Sequence, residues 1–487
     1  MSKAVQGEAR LLIDGRLVEA ASGRRYPNIA PATGEVIGEA ADAGPADAEA
    51  AIAAARRAFD RSGWATDRAL RRQCLARLRD GLRAAAADLC ELVVAEVGAP
   101  MAITRGGPQG DGPIAILDYY LGLIDSYAWE AGLPVVNTMG VPSRRLLWKE
   151  AAGVVAAISP WNFPFQINMA KLCPALAAGC TVVLKAAPET PWTASFIGRI
   201  AAECLPPGVL NVLTSSDPAA VGEQLCADPR VDVVSFTGST ATGRRVMAAA
   251  SATVKRVFLE LGGKSASIIL DDADFNTALL SGFAVCYHAG QGCAITSRLL
   301  LPRSRYDEGV QFLQHAFAQL PYGDPHGEGQ IMGPLISARQ QARVLEYIEL
   351  GRREGARLVC GGGQPARLPR GFYVEPTLFA DVRSDMRIAQ EEIFGPVLVA
   401  IAYEDDDDAV RIANDSIYGL SGAIFGSPER ALRMARRIRS GTLNVNGANF
   451  FAPDSPFGGY KQSGIGREMG VQGLEEYLQT KTVAVPG

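Results

Sequence analysis

GVVAAIS, at residues 153–159, is the first of four short apolar runs that decide the fold. The other three are CTVVLKA (180–186), GVLNVLT (208–214) and VDVVSFT (231–237). Helical stretches separate these runs near Lys171, from Pro191 and near Val221. This alternation requires a parallel sheet with helices on both faces, and ligands of such sheets bind beyond the carboxyl ends of the strands. The sequence therefore predicts an α/β, Rossmann-like parallel-sheet domain with a ligand crevice.

A second α/β unit is predicted from Ser265 to about Asn446, because short apolar runs alternate there with helical stretches once more. These runs are SASIIL (265–270), LLL (299–301), LVCGG (358–362), LVAIAY (398–403), GAIF (422–425) and TLNVN (442–446). We therefore expect at least two packed units.

The N-terminal segment predicts helices, followed by a β-hairpin. Pro45 to Phe59 and Asp67 to Val97 are rich in helix formers, and Thr66 is the expected N-cap of the second helix. Between Leu133 and Ala151, LPVVNT and RRLLWKEA flank the turn-prone MGVPS. We interpret this hairpin as a small β oligomerisation arm.

The composition is that of a globular protein, with 48% hydrophobic and 21% charged residues among 487. A formal net charge of −4 provides no basic field, so we expect no nucleic-acid partner. The apolar run from Leu172 to Leu184 contains Pro174 and is too short to cross a bilayer. The N-terminus lacks the apolar core of a secretory signal. We therefore expect a cytoplasmic protein without a membrane segment.

The nine cysteines form no CxxC pair and only three histidines are present, so the sequence predicts reduced thiols and no metal. Cys293 lies in the Gly-rich stretch HAGQGCAITSR (288–298), which favours an accessible loop thiol. Cys180 and Cys286 lie instead in apolar runs. On cysteine chemistry alone, an inert buried thiol is the more frequent case.

Two polar residues stand in surroundings that alter their chemistry. Glu260 ends the apolar part of FLELGGK (258–264), where partial desolvation suits a carboxylate to general-base chemistry. The alternative for Glu260 is a surface charge at a strand end. Asn162, in SPWNFPF (159–165), is a candidate oxyanion donor or an ordinary turn residue.

Two Gly-containing turns are candidate phosphate sites. FTGSTATG (236–243) follows an apolar run and precedes a helical one, which is typical of a pyrophosphate site and also of a plain N-cap. GGKS (262–265) is not an NTP-binding loop, because Phe258 occupies the place of the first glycine in that motif.

Taken together, six motifs in this order resemble the aldehyde dehydrogenase superfamily over essentially the whole chain. They are PWNFP (160–164), FTGST (236–240), LELGGK (259–264), GQGC (290–293), EEIFGPV (391–397) and SPFGGYKQSGIGRE (455–468). The resemblance implies oxidation of an aldehyde to a carboxylic acid with hydride transfer to NAD(P), through a thiohemiacetal and a thioester.

The resemblance also implies the catalytic roles. Cys293 is the nucleophile, Glu260 activates the hydrolytic water, and the Asn162 amide stabilises the oxyanion together with the backbone N–H of Cys293. Lys171 is expected to relay protons or to hold Glu260. Relatives that transfer the acyl group to coenzyme A lack the glutamate, so Glu260 favours the hydrolytic type.

For the cofactor, the resemblance implies NAD as the preferred dinucleotide. The expected binding residues are Ile158, Trp161, Lys185, Gly222, Gly238, Ser239, Leu261, Glu392 and Phe394. The chain departs from the family pattern in KAAPE, where Pro188 replaces a glutamate common in NAD-preferring relatives and Glu189 follows it. Loss of that carboxylate leaves NADP as an alternative cofactor.

The expected substrate residues are apolar. Phe163, Ile167, Phe451 and Phe457 are predicted to line the substrate tunnel, with Phe450 beside them. Ala170 stands where relatives often carry a larger residue, which predicts a wider tunnel. We therefore expect an apolar medium-chain or aromatic aldehyde.

The family architecture implies a cofactor domain (1–124 and 148–259), a catalytic domain (260–453) and oligomerisation segments (125–147 and 468–487). A homodimer or homotetramer is expected by analogy. Two other functions compete with this interpretation: a cysteine hydrolase or amidase, and a non-catalytic protein with the same fold. The FTGST and EEIFGPV segments disfavour a hydrolase, which needs no dinucleotide site.

Overall fold

A computed structural model describes residues 7–486. Its first large sheet has eight strands, in the spatial order Gly464–Ile465, Arg256–Glu260, Val233–Thr237, Val154–Ile158, Thr181–Lys185, Leu210–Leu213, Leu11–Ile13 and Arg16–Val18. The five strands from Arg256–Glu260 to Leu210–Leu213 are parallel. The predicted Rossmann-like α/β fold is therefore confirmed.

Alternate residues of the central strand Val154–Ile158 face opposite sides of the first sheet. Val155 and Ala157 pack into one hydrophobic cluster, whereas Val154, Ala156 and Ile158 pack into another. All five side chains are buried because helices cover both faces, which explains why the strand is continuously apolar instead of alternating.

The second large sheet has seven strands, in the order Arg357–Cys360, Thr377–Ala380, Val397–Tyr403, Thr296–Pro302, Ser265–Ile269, Gly422–Phe425 and Asn444–Val445. Only Arg357–Cys360 runs antiparallel to its neighbour. The sequence prediction missed Thr377–Ala380, a four-residue strand that gains its partners only in the assembled sheet.

Helices surround both large sheets. In the N-terminal half they are Pro45–Arg61, Arg68–Ala84, Ala86–Val97, Met101–Thr104, Gly112–Ser126, Pro164–Ala178, Pro191–Cys204, Pro218–Ala227 and Thr240–Ala250. In the C-terminal half they are Phe275–Leu279, Tyr306–Ala318, Ala338–Arg353, Arg387–Gln390, Asp406–Asn414, Pro428–Ala435 and Gly470–Glu475. Short 3₁₀ segments cover Ser251–Thr253, Leu280–Gly290, Arg303–Arg305 and Lys461–Ser463.

The predicted single helix from Asp67 to Val97 is wrong in two respects. It is two helices that meet at Ala85, whose ψ of 6° leaves the helical range, and an Ala-rich run offers no Gly or Pro to mark that break. The N-cap is Asp67 and not Thr66, because the Asp67 carboxylate accepts a hydrogen bond from Leu70 N.

The hairpin forms a three-stranded antiparallel sheet with the C-terminal strand. Glu130–Thr138 pairs with Val141–Ala151, which pairs in turn with Leu478–Pro486. Met139 and Gly140 make the turn with φ values of 56° and 77°, as a two-residue hairpin loop requires. A separate two-stranded sheet joins Arg25–Ile29 to Val36–Ala41.

A buried carboxylate joins the N-terminal elements to the first sheet's helices. Glu96 is fully buried and accepts hydrogen bonds from Asn28 Nδ2, Trp192 N, Thr193 N and Thr193 Oγ1 at 2.6–2.8 Å. Trp192 and Thr193 open the helix Pro191–Cys204, where a negative charge interacts favourably with the helix dipole.

We predict that Glu96→Ala lowers the free energy of unfolding by about 3 kcal/mol or more, because several buried donors lose their acceptor. Glu96→Gln loses less free energy of unfolding, since its amide oxygen still accepts hydrogen bonds. Denaturant unfolding followed by circular dichroism measures both. Glu91→Ala, which removes a more exposed carboxylate from the same helix, is the control. An equal effect of the two alanine variants would contradict this role.

Candidate active site

The parallel register brings several predicted residues to one edge of the first sheet. Ile158 lies opposite Lys185 and Phe236, and Thr237 lies opposite Glu260. These residues end their strands, so the loops that follow begin at the same edge. This is the carboxyl edge, where parallel sheets bind ligands.

The linker from Leu261 to Lys264 joins this edge to the first residue of a strand in the second sheet, Ser265. A Cβ atom at Gly263 would lie 2.5 Å from the backbone oxygen of Cys293. Only glycine permits so close an approach. The linker thereby places the Cys293 loop beside the edge that carries Glu260.

Cys293 lies in the turn between the 3₁₀ segment Leu280–Gly290 and the strand Thr296–Pro302. Its side chain is half-buried. Three consecutive residues before it, His288, Ala289 and Gly290, have left-handed backbones with φ of 51°, 51° and 73°. Such a run is rare for residues other than glycine and reverses the chain sharply ahead of the thiol.

Burial raises the pKa of the Cys293 thiol far above its usual value, and the carboxylates of Glu392, Glu260 and Glu468 raise it further. Both causes disfavour the thiolate. Cys293 is therefore protonated at neutral pH, and a nucleophilic role requires a base within reach.

Asn162 follows the strand Val154–Ile158 and is buried. Its Nδ2 donates to the backbone oxygen of Gln291 at 2.9 Å, two residues before Cys293. The Gln291 amide donates to the carbonyls of His288 and Pro334 and accepts from Ile336 N at 2.8 Å. This network fixes the Asn162 amide against the cysteine loop and leaves one of its two N–H groups for another acceptor.

Glu260 is almost completely buried, and neither of its carboxylate oxygens has a hydrogen-bond partner within residues 7–486. Burial raises the pKa of Glu260 well above its usual value, and the nearby charge of Glu468 adds to this rise. A buried carboxylate without a partner is costly to the fold and is typical of a proton-transferring group.

Of the two roles expected for Lys171, the structure does not support holding Glu260, and the proton relay stays a prediction. Its Nζ donates to Glu468 Oε1 at 2.9 Å and to Ser235 Oγ at 3.0 Å. The lysine charge still lowers the pKa of Glu260 from a distance. Lys171 therefore neutralises the neighbouring carboxylate and leaves Glu260 unpaired.

The cofactor candidates on the first sheet lie around its carboxyl edge. Burial lowers the pKa of Lys185 to about 8. Gly238 N donates to the Glu260 backbone oxygen at 3.0 Å, and Ser239 caps the helix Thr240–Ala250 through Thr242 N. Leu261 packs against Gly243 of that helix. FTGSTATG can therefore be both an N-cap and a pyrophosphate site. Ser239 caps the helix, and the N-terminus of that helix lies at the carboxyl edge where ligands bind.

Gly222 lies on the helix Pro218–Ala227, and a Cβ atom added there would meet no described atom within 4 Å. The space beside this glycine fits the close approach of a ligand. With the cation of Lys185 and the helix terminus at Ser239, the residues present fit a dinucleotide.

The second unit supplies two further candidates. Glu392 Oε1 accepts from Gly263 N at 3.0 Å, and burial raises the pKa of Glu392 to about 7. The ring of Phe394 meets that of Trp161 edge to face, with centroids 5.4 Å apart. The structure therefore brings Glu392 to the linker and Trp161 of the first unit into contact with Phe394 of the second.

At the KAAPE departure, Glu189 takes a position beside Lys185. Burial raises the pKa of Glu189, while Arg339 and Lys185 lower it. The Glu189 carboxylate lies 3.4 Å from the Arg339 guanidinium. A carboxylate thus remains near the lysine although Pro188 replaces the usual one.

The predicted substrate residues are only partly brought together. The Phe163 ring lies 3.5 Å from the Cβ position of Gly292, next to Cys293. Cys293 and Phe450 pack against the cluster that contains Ala170 and Phe457, and Phe450 stacks on Phe457 with centroids 6.1 Å apart. Ile167 is buried, whereas Phe451 is 37% exposed.

Sequence reasoning did not single out three residues that shape this site. Gln291 lies in the motif GQGC, two residues before Cys293, and Glu468 ends the motif SPFGGYKQSGIGRE. The signal available for both was a polar residue within a family motif. Ser235 lies within an apolar strand and gave no signal.

Across the described chain, no cluster of three or more His, Cys, Asp or Glu residues has the arrangement of a metal site. None of the helices between residues 7 and 486 is long and apolar enough to traverse a bilayer.

The aldehyde dehydrogenase family model matches residues 17–483. The chain belongs to the aldehyde dehydrogenase family. The 3-succinoylsemialdehyde-pyridine dehydrogenase of a Pseudomonas species is 42% identical over 97% of each chain. Aldehyde dehydrogenase C of Pseudomonas syringae, solved with NAD+ and octanal, is 38% identical with a TM-score of 0.93, covering 98% of this chain and 96% of that one. Betaine aldehyde dehydrogenase of Staphylococcus aureus, solved with NAD+, is 35% identical with a TM-score of 0.95. The match covers 99% of this chain and 95% of that one.

We predict that Cys293 reacts with iodoacetamide more slowly at pH 7 than an exposed cysteine, and that its rate rises steadily up to pH 9, because its raised pKa keeps the thiol protonated. Glu392→Gln removes one of the charges that raise this pKa and accelerates the reaction. Mass spectrometry of the labelled peptide measures the rate, in a Cys360→Ser background that removes the other half-buried thiol. A rate that does not change between pH 7 and 9 would refute the raised pKa.

Proposed function

We propose that this chain oxidises an aldehyde to its carboxylic acid with NAD as hydride acceptor. The observation that carries the proposal is the convergence of three groups: the Cys293 thiol, the Asn162 amide bonded to the Cys293 loop, and the unpaired Glu260 carboxylate. NAD+ in the solved relatives, and a donor set here that fits a dinucleotide, support the cofactor.

In the first half-reaction, the Glu260 carboxylate takes the proton of the Cys293 thiol and passes it to solvent, and the sulfur bonds to the aldehyde carbon. The free N–H of the Asn162 amide and the backbone N–H of Cys293 donate to the oxygen, which becomes an alkoxide. A bound NAD would supply the acceptor for the hydride of this carbon. A thioester remains on Cys293.

In the second half-reaction, Glu260 takes a proton from a water molecule as the water oxygen attacks the thioester carbon. The carbon–sulfur bond then breaks, the carboxylic acid leaves, and the proton held by Glu260 passes to the sulfur and restores the Cys293 thiol. Burial suits Glu260 to this role, because a raised pKa makes the carboxylate a stronger base.

Ile158, Trp161, Lys185, Gly222, Gly238, Ser239 and Leu261 would hold NAD along the carboxyl edge, with Glu392 and Phe394 at the nicotinamide end. NAD is favoured over NADP because the Glu189 carboxylate beside Lys185 would repel a 2′-phosphate. Arg339, which lies against Glu189, offsets part of this repulsion and leaves NADP as the weaker alternative.

For the substrate, we favour an apolar medium-chain or aromatic aldehyde. Phe163, which lies beside Gly292, supports this class, as do Phe450, Phe457 and the small Ala170 in or against the cluster on which Cys293 packs. An octanal complex of one relative and a pyridine-bearing substrate named for another agree with it.

We also propose a homodimer or homotetramer that forms through the segments 125–147 and 468–487, outside a cofactor domain (1–124, 148–259) and a catalytic domain (260–453). The three-stranded sheet presents exposed apolar residues, including Val135, Met139 and Val141.

The test is nicotinamide absorbance with purified enzyme, NAD and NADP in parallel, and acetaldehyde, octanal and benzaldehyde as substrates. We expect turnover with NAD, higher kcat/KM for the two larger aldehydes, and loss of at least 1,000-fold in Cys293→Ala, on the order of the effect of removing a catalytic nucleophile. Equal kcat/KM for all three aldehydes would overturn the substrate class. No change in nicotinamide absorbance, although calorimetry shows that NAD binds, would overturn the proposed activity on these aldehydes.

We predict that Glu468→Gln moves the acid limb of the kcat profile to lower pH. Glu260 acts as a base only when ionised, so activity falls as pH falls through its raised pKa, and removing the Glu468 charge lowers that pKa. Glutamine retains the oxygen that Lys171 contacts. The control is Glu475→Gln, an exposed carboxylate bonded to Tyr127. An acid limb that stays in place would show that Glu260 does not control it.

A further inference from the structure

The backbone carbonyl of Asn162 is contacted by two buried side chains that have no part in the steps above. Gln109 Nε2 donates to this oxygen at 3.4 Å. The imidazole of His288 lies beside the same backbone, which raises the pKa of His288, although burial outweighs this effect and lowers the value to about 4.

Gln109 and His288 come from separate parts of the chain. Gln109 lies in the turn between the helices Met101–Thr104 and Gly112–Ser126, and His288 lies in the left-handed turn before Cys293. Each is only 2% exposed. The Phe163 ring packs on the imidazole with centroids 5.0 Å apart. Two distant segments therefore close on Asn162, which lies near the end of the loop between the first sheet's central strand and the helix Pro164–Ala178.

Both residues line one small cavity, together with Thr104, Phe163 and Tyr287. Gln109 Oε1 and His288 Nε2 have no hydrogen-bond partner among the described residues. Leaving two buried acceptors unpaired costs free energy, and apolar residues of the same shape would avoid that cost. The polar identity of Gln109 is explained by its bond to the Asn162 carbonyl, and the His288 imidazole lies beside the same backbone.

The Asn162 side chain is fixed at its other end by Gln291, whose own amide donates to the His288 carbonyl. His288 is therefore linked to Asn162 through Gln291, and its ring packs on Phe163, the residue after Asn162. Because the imidazole is neutral at working pH, the contact does not add a positive charge beside the developing alkoxide.

We propose that Gln109 and His288 are positioning residues that clamp the Asn162 backbone and so aim its side-chain amide at the oxyanion. The proposal rests on the oxyanion role of Asn162 in the proposed function. The Gln109 bond to the main chain and the packing of His288 on Phe163 fix the end of the loop, and catalytic donors lose much of their effect when displaced by about 1 Å.

The test uses full-length enzyme and the variants Gln109→Met, His288→Asn and Asn162→Ala, singly and combined. Methionine matches glutamine in shape without its amide, and asparagine tolerates the left-handed backbone of His288. We expect kcat to fall about tenfold in each positioning variant, with aldehyde KM and NAD Kd changed less than about threefold. In the Asn162→Ala background, which alone loses about 100-fold or more, neither change should cost a further twofold.

The matched control is Gln341→Met, which removes a different amide-to-carbonyl bond, from Gln341 Nε2 to the Tyr373 oxygen. It should retain full kcat. Equal losses from Gln109→Met with and without Asn162 would overturn the clamp and indicate a general effect on the fold. Unchanged kcat in both positioning variants would also overturn it.

A crystal structure of Gln109→Met provides a readout that is independent of activity. The 2.9 Å contact between Asn162 Nδ2 and the Gln291 oxygen should be lost or lengthened there and kept in Gln341→Met. An unmoved Asn162 would refute the clamp even if the wild type oxidises aldehydes. An inactive wild type with a displaced Asn162 in the variant would count against the proposed function alone.

Discussion

The site depends on one short covalent connection, the four residues from Leu261 to Lys264 between the carboxyl edge of the first sheet and a strand of the second. Side chains at Gly262 and Gly263 would collide with Glu392 and with the backbone of Cys293. The absence of side chains lets the two units approach within van der Waals contact. Glu260 precedes this connection, and the Cys293 loop lies beside it. The two are therefore neighbours because of backbone geometry, whatever rotamers their side chains adopt.

That proximity has an electrostatic cost. Glu260, Glu392 and Glu468 all act on the Cys293 thiol, and two of them have raised pKa values. Lys171 offsets one charge through its contacts with Glu468 and Ser235. The chain thus leaves Glu260 desolvated and unpaired, which weakens the fold locally and strengthens the carboxylate as a base.

Neutral polar groups hold the other half of the site. The amides of Asn162 and Gln291 and the carbonyls around them form a network with little net charge. Such a network can fix an oxyanion donor without changing the ionisation of the thiol beside it. The division between charged groups on one side of Cys293 and neutral amides on the other matches the two chemical tasks assigned to them.

The sequence alone determined the alternating α/β architecture, the family and the candidates Cys293, Glu260 and Asn162, because strand and helix periodicities and short motifs are local properties. The sequence did not predict the helix break at Ala85 or the strand Thr377–Ala380, since neither carries a local signal. The tertiary structure alone decided that Lys171 pairs with Glu468, that Glu189 stands beside Lys185, and that Gln109 reaches Asn162. The first and the last of these contacts join residues far apart in the chain, and the burial and pairing of all three are set by packing, which no local pattern records.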